Sequence, residues 1–244
     1  MSSTTYVRFE LLRMLRNRRF FVFSLGFPLV LYFLIAGPNR NEHNLGGTGI
    51  DAPLYFMVGL AAFGAMNSVI SGGARIALDR SAGWTRQLRL TPLAPRSYLA
   101  TKILVSYMTA LFTIATLAVA GTILGVRLSP ADWIGTVGLL LVGLLPFAAL
   151  GILFGHLLGV DALGPAIGGT TALLGFLGGT WFPVNSGLLH DVALALPSYW
   201  LTQASRVASG GPGWGPLGWF VMAGWTVSLS VLAAWAYRRD TQRA

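Results

Sequence analysis

Apolar residues occur along this chain in long uninterrupted runs, without the alternation of a barrel strand or the one-sided spacing of a soluble helix. A run of about 20 apolar residues spans the roughly 30 Å hydrocarbon core of a bilayer as a helix. Backbone groups in lipid must bond internally, so continuous runs of this kind predict membrane-spanning helices. We predict an all-α membrane protein with one transmembrane domain over residues 1–244 and six spans, at about 20–37, 53–74, 98–125, 133–158, 163–182 and 215–237.

The segment before the first span has the spacing of an amphipathic helix. Val7, Leu11, Met14 and Leu15 fall on one face, whereas Glu10 lies on the other. This predicts an interfacial helix over residues 1–19, with a disordered basic tail as the alternative. The following run is long, contains a proline and lacks a small-residue cleavage site, so we expect a retained span and not a signal peptide.

Residues 183–213 contain an apolar run, 188–196, that is too short to cross a bilayer. This predicts an interfacial or re-entrant helical hairpin on the external side, broken at Pro197 because proline lacks the amide donor that a helix interior needs. Tyr199 and Trp200 suit the headgroup zone.

Charge is scarce and unevenly placed. The chain is 54% hydrophobic and 10% charged, with a net charge of +9. Basic residues concentrate before the first span, in residues 75–102 and in the C-terminal tail, so the positive-inside bias predicts that these segments and both termini are cytoplasmic. The surplus of arginine then serves topology and contact with anionic lipids, and no nucleic-acid partner is expected. Its near-exclusive use in place of lysine is typical of GC-rich bacterial coding, which favours a multi-pass protein of a bacterial plasma (inner) membrane.

No catalytic or metal site is readable. A P-loop needs a lysine after a glycine-rich turn, and the single lysine, Lys102, follows the sequence YLAT. His43, His156 and His190 lack a second ligand at metal spacing, and there is no cysteine. We expect spans nearly free of ionisable groups, with His156 as the exception, which disfavours proton-driven transport and an intramembrane enzyme. Any transport would take its energy from another subunit.

The most basic segment, LDRSAGWTRQLRLTPLAPRS at residues 78–97, mixes arginines with leucines, a tryptophan and prolines. A short amphipathic helix over about 79–90 is plausible, ending before Pro92. It would set topology, or dock a soluble partner at the cytoplasmic face; the ordered mixture of residues favours docking.

This segment resembles the cytoplasmic loop of type-2 ATP-binding-cassette export permeases. The residues that match the family pattern are Asp79, Arg80, Gly83, Leu88, Thr91, Pro92 and Lys102. A second stretch is similar to the family's entry to an external re-entrant hairpin, at Gly178, Phe182, Pro183 and Pro197. The order of these motifs and the six spans extend the likeness over nearly the whole chain. Two departures stand out: an Asp where Glu is common, and no Leu-Pro pair after the first hairpin proline.

The resemblance implies that residues 79–90 form a coupling helix seated on a separate ABC ATPase subunit, which would bind the ATP and Mg²⁺, whereas this chain would bind no cofactor. It also implies a second permease copy, identical or related. We expect ATPase coupling to involve Asp79, Arg80, Gly83, Trp84, Arg86, Leu88, Thr91 and Pro92. Asn67, Ser68 and Ser71 could face substrate or bond neighbouring helices. The glycines of GILFGHLLG are expected to serve packing within the subunit.

Together these features predict the permease subunit of an ATP-driven exporter for an amphipathic drug, antibiotic or lipid-like molecule, the class to which multidrug efflux and antibiotic resistance belong. A pathway without charged groups suits such a cargo better than an ion. Two alternatives remain open: export of a lipid-linked glycan, and a membrane anchor that recruits a soluble partner without transporting anything.

Overall fold

The computed structural model describes residues 7, 9, 10, 12, 25–83, 95–211 and 213–243, and these contain helices and connections but no strand. The α-helices in chain order are α1 Phe27–Ala36, α2 Ala52–Ser81, α3 Pro95–Ile123, α4 Pro130–Gly143, α5 Leu145–Leu157, α6 Val160–Leu177, α7 Gly187–Leu194, α8 Pro197–Thr202 and α9 Pro216–Arg243. Two 3-10 segments cover Leu45–Gly47 and Gln203–Ser209. The predicted all-α class is confirmed.

Among the described residues, five helical stretches are long and apolar enough to cross a membrane. They are Ala52–Ser81, Ser97–Ile123, Pro130–Leu157, Val160–Leu177 and Pro216–Asp240, and each overlaps one predicted span. The predicted first span, 20–37, is described only from residue 25, where α1 forms its apolar end. Of the predicted interfacial helix, Val7, Phe9, Glu10 and Leu12 are described, all four helical. The remainder of both segments lies outside the described residues.

Helix α2 is the centre of the bundle. It packs most extensively against α3 and α5, and also contacts α1, α6 and α8. Fully buried apolar side chains such as Leu60, Met66 and Ile70 line it. In contrast, α6 and α9 keep most of their apolar side chains exposed, as helices that face lipid do. Because α2 touches so many neighbours, a displacement of either of its ends reaches most of the molecule.

The fourth predicted span, 133–158, is interrupted. Its helices α4 and α5 meet at Leu144, two residues before Pro146. Proline removes one helical hydrogen bond, and its ring crowds the carbonyl four residues earlier, which explains a break at this point. At the start of α4 the chain has a regular cap: the Ser129 hydroxyl accepts a hydrogen bond from the Asp132 amide, and Pro130 occupies the first turn.

The glycines of GILFGHLLG act within the subunit, as expected for Gly151 and Gly155. A side-chain carbon on Gly73 of α2 would lie 2.5 Å from the Gly151 carbonyl carbon, and one on Gly155 would lie 2.6 Å from the Gly73 carbonyl oxygen. Both distances are far inside van der Waals contact, so the backbones of α2 and α5 approach as closely as they do only because these positions lack side chains. Gly159, by contrast, has open space around it.

Candidate functional site

The last turn of α2 is the point at which the polar chemistry of the described residues concentrates. It lies at the end of the bundle where α2 ends and α3 begins, which we call the loop end. Asp79 and Arg80 are adjacent in sequence, so on a helix their side chains leave the axis about 100° apart. They therefore meet different neighbours, and each forms its own set of contacts.

On one side, Asp79 belongs to a buried charged group that we call the Lys102 cluster: Glu10, Asp79, Tyr98 and Lys102. The Lys102 Nζ lies 2.8 Å from Asp79 Oδ2 and 2.5 Å from Glu10 Oε1. The Tyr98 hydroxyl donates to Asp79 Oδ2 at 2.8 Å. The side chains of Glu10, Asp79 and Lys102 are between 2% and 8% exposed. Charges buried to this degree are tolerated only when paired, so the cluster holds the N-terminal segment, α2 and α3 together.

On the other side, Arg80 forms what we call the Arg80 clamp. Its Nη1 donates to the carbonyl oxygens of Gly155 at 3.0 Å and His156 at 2.9 Å, and its Nη2 lies 2.8 Å from Asp240 Oδ1 on α9. The last carbonyls of a helix have no partner within it and carry its negative dipole end, so a guanidinium is well placed to cap α5. Asp240 Oδ2 also lies 3.0 Å from His156 Nδ1, which completes the link between α5 and α9.

Beside the Lys102 cluster is a small polar pocket between α2 and α3. Its lining consists of Glu10, Ser68, Gly72, Arg75, Lys102, Val105, Ser106 and Thr109. Of the three residues predicted to line a substrate path, Ser68 belongs to this lining, and its hydroxyl donates to the Gly64 carbonyl at 2.8 Å. Asn67 and Ser71 lie half-buried on α2. The hydroxyls of the lining extend the polar surface from the charged cluster toward the middle of the bundle.

The residues predicted to couple to an ATPase fall into two groups. Asp79 and Arg80 form the last turn of α2, and Gly83 follows it with a positive φ of 69°, a conformation that favours glycine. The predicted coupling helix, 79–90, thus overlaps α2 through Ser81. The other predicted residues, Trp84, Arg86, Leu88, Thr91 and Pro92, lie outside the described residues. Within the described part, the two charged residues direct their side chains to this chain's own helices.

The four predicted hairpin residues lie together at the opposite end of the bundle. Gly178 ends α6, and its carbonyl accepts a hydrogen bond of 2.9 Å from the Thr202 hydroxyl. A side-chain carbon at Gly178 would lie 2.8 Å from the Ser198 carbonyl carbon, so glycine is required for this approach. Pro197 begins α8, at the first helical position that proline tolerates, after the apolar helix α7 has ended.

The aromatic and proline side chains at this end link the hairpin to the rest of the chain. Phe182 packs edge-on against Phe176 with ring centroids 5.0 Å apart. Pro183 packs on Gly46, where a side-chain carbon would lie 3.1 Å from it. Burial raises the pKa of the Tyr199 phenol, while the positive charge of Arg206 lowers it. With the net shift upward, Tyr199 stays neutral at physiological pH. The contacts of Phe182 and Pro183 show that the hairpin packs against the rest of the chain. Its re-entrant position in the membrane stays a prediction.

The expectation that His156 is the exception in spans nearly free of ionisable groups omitted Lys102, which lies on α3 within the predicted span 98–125. Helix α2 continues beyond its predicted span, 53–74, through Arg75, Asp79 and Arg80 of the segment predicted to be cytoplasmic. Glu10, expected on the polar face of an interfacial helix, is 7% exposed. One signal in the sequence could have revealed the cluster: a single lysine inside an apolar run of a chain that otherwise uses arginine. A cation buried in this way requires an acidic partner.

Comparison with known proteins shows which family the sequence belongs to. Residues 39–236 match the sequence profile of a family described as "ABC-2 family transporter protein". The chain is also similar to a protein of Bacillus subtilis (strain 168) named "Putative transport permease YvfS", with 28% identity over 215 residues that cover 84% of this chain and 85% of that protein. The matched region includes α2, the 84–94 connection, the hairpin and α9 as far as residue 236. This chain therefore belongs to the ABC-2 transporter family and is a membrane transport permease.

Proposed function

We propose that this chain is the permease subunit of an ATP-driven exporter that moves an amphipathic molecule, such as a drug, an antibiotic or a lipid-like compound, out of the cell. The observation that carries the proposal is the arrangement at the loop end. Directly before the basic connection 84–94, two adjacent residues of α2 contact α3, α5 and α9, and Lys102 of α3 extends these contacts to Glu10 of the N-terminal segment. A push on that connection would reach every one of these segments, as a rigid-body mechanism requires.

Membership of the family implies association with an ABC ATPase subunit, and ATP and Mg²⁺ are expected to bind there. The environment of Lys102 supports nucleotide binding on the separate subunit. It is the one lysine of the chain, and its ammonium is buried between two carboxylates, so it is not free to reach a nucleotide phosphate. The docking surface for the ATPase would be formed by the amphipathic residues of the connection, namely Trp84, Arg86, Leu88, Thr91 and Pro92.

A second permease copy, identical or related, would complete a central path along α6 and α1. Support comes from the exposed face of α6, where Gly164 and Gly168 have open space around them. Small residues on an exposed membrane helix allow another helix to approach closely. On α1, Val30 and Leu34 are also exposed. An apolar path of this kind suits an amphipathic cargo, and lipids would cover the remaining apolar faces. With the basic loop end inside, both termini would be cytoplasmic in a bacterial plasma membrane.

The test is ATP-dependent movement of cargo in proteoliposomes that contain the permease and its ATPase subunit. The probes are rhodamine 6G, an amphipathic fluorescent cation, and a phospholipid with a fluorescent headgroup. We expect nucleotide-dependent transport of at least one probe, and none with an ATPase that lacks its P-loop lysine. Stable binding of the ATPase without movement of either probe would contradict export of an amphipathic molecule and favour a glycan cargo or a membrane anchor.

A further inference from the structure

We infer that Asp79 and Arg80 are positioning residues that transmit movement of the 84–94 connection to the rest of the permease, and that they are not contacts for the ATPase. This inference rests on the proposed function, because it concerns how an ATP-driven partner would act on this chain. Both residues belong to the family-like motif of the basic segment, which on its own suggests direct ionic anchoring. The contacts of the two side chains lead to a different role.

Burial argues against docking through Asp79. The residue is 4% exposed, and its Oδ2 already accepts from the Tyr98 hydroxyl and contacts the Lys102 ammonium. A partner could reach this carboxylate only by opening the cluster, which would leave Lys102 and Glu10 to be re-paired in a buried site. Uncompensated buried charge is costly, so the native contacts prevail.

The Lys102 cluster lies across the base of the connection. Asp79 precedes the 84–94 connection and Tyr98 and Lys102 follow it, so their contacts join the chain before the connection to the chain after it. Glu10 adds the N-terminal segment to the same junction. A force on the connection therefore cannot be absorbed by separation of α2 from α3. It moves the two helices and the N-terminal segment as one body.

The Arg80 clamp transmits a displacement of α2 to α5 and α9. Its guanidinium bonds two carbonyls at the end of α5 and the carboxylate of Asp240 on α9. Since α5 and α9 also pack along a shared apolar surface that includes Leu153 and Leu229, they follow α2 together. The two adjacent residues thus distribute one displacement to both sides of the bundle, and a neutral substitution of either should disconnect one side.

The experiment compares Asp79→Asn with Asp79→Glu, and Asp240→Asn with Asp240→Glu, in the complex of the full chain with its ABC ATPase subunit. The asparagine variants remove charge with little change of shape, and the glutamate variants restore it. Asp161→Asn, an exposed carboxylate at the start of α6, is the matched control. Because the chain has no cysteine, spin labels can be placed at Ile123→Cys and Leu188→Cys, which are 69% and 81% exposed on α3 and α7.

Two readouts are taken: retention of the ATPase during affinity purification, and the label-to-label distance with and without Mg-ATP plus vanadate. We expect all variants to retain the ATPase. The nucleotide-driven distance change should be lost in both asparagine variants and present in the glutamate variants, the control and the wild type. A structural role alone would not separate retained binding from lost movement.

Release of the ATPase by a folded Asp79→Asn or Asp240→Asn variant would overturn the inference in favour of docking or of a purely structural role. An unaltered distance change in both asparagine variants, or no change in the wild-type complex, would overturn it too. If Asp79→Asn fails to insert, the more exposed Asp240→Asn decides. Failure of the wild-type chain to bind any ATPase is a separate outcome, because it refutes the proposed function itself and the inference with it.

Discussion

Lys102 shows how much a single residue decides in this molecule. It is the one lysine beside sixteen arginines, and its ammonium contacts two buried carboxylates, those of Glu10 and Asp79. A compact ammonium with three donors can serve several acceptors around a point, whereas a planar guanidinium is suited to one bidentate partner. The geometry of the cluster therefore explains why lysine is present here, in a chain whose other cations are arginine.

Replacement of Lys102 by methionine should destabilise the protein strongly. The change leaves Glu10 and Asp79 buried without a cation, and breaking a buried pair in this way costs about 3–5 kcal/mol of unfolding free energy, less what the carboxylates recover by protonation. Lys102→Arg should lose less, because the charge remains. The measurement is reversible denaturation by SDS in mixed micelles.

Arg127→Met is the control for this prediction, since Arg127 is exposed and donates a long hydrogen bond of 3.3 Å to the Thr122 carbonyl. The free energy of unfolding of Arg127→Met should differ from that of the wild type by no more than about 0.5 kcal/mol. If Lys102→Met and the wild type have the same free energy of unfolding, Lys102 does not form its buried ion pairs with Glu10 and Asp79 in the folded protein.

At the scale of elements, one difference between the expected and observed helices is the break before Pro146. The sequence predicts the apolar run of 133–158, but whether Pro146 bends a helix or divides it depends on the packing around it. Here Gly143 lies against Leu201 and Trp214, so the end of α4 is held by the hairpin region while α5 follows α2. The break between α4 and α5 therefore depends on which neighbours each half of the span packs against.

Gly73→Val should prevent the close packing of α2 and α5. Its first side-chain carbon would lie 2.5–2.9 Å from backbone atoms of Gly151 and Ile152, and backbone atoms cannot rotate away as a flexible side chain can. We expect a large loss of monodisperse protein, measured by size-exclusion chromatography of a fluorescent fusion in detergent. Gly224→Val is the matched control, because it adds the same side chain to open space on the exposed surface of α9. Normal yield from Gly73→Val would show that the two helices do not meet at this point.

For the whole molecule, the distribution of exposed apolar surface distinguishes two kinds of outer helix. On α9, large side chains such as Phe220, Val227 and Val231 are exposed, as lipid contact favours. On α6, Leu173 and Phe176 are exposed as well, but the helix also carries Gly164 and Gly168 at four-residue spacing with open space around them, which leaves room for another helix to approach closely. The difference supports α6 as the face that meets a second permease copy.

Gly168→Trp should therefore weaken association of two permease copies without unfolding the subunit. The indole would occupy the space that a partner helix needs, while no described atom outside the adjacent backbone of α6 lies within 4 Å of the added carbon. Multi-angle light scattering in detergent should show a shift from dimer toward monomer, with an unaltered unfolding transition. Leu232→Trp, on the exposed surface of α9, should leave the mass unchanged. A dimer of undiminished stability in Gly168→Trp would place the interface elsewhere.

The sequence by itself determined the class of the protein: apolar runs of spanning length, arginines gathered in alternate connections and a family-like basic segment. These properties depend on composition within short contiguous windows, so they are readable without coordinates. Tertiary structure alone decided which polar groups meet. Glu10 reaches Lys102 across 92 positions of sequence, and His156 reaches Asp240 across 84. Such contacts depend on the rotation and spacing of packed helices to within about an ångström, because a hydrogen bond weakens steeply outside its narrow range of distance and angle.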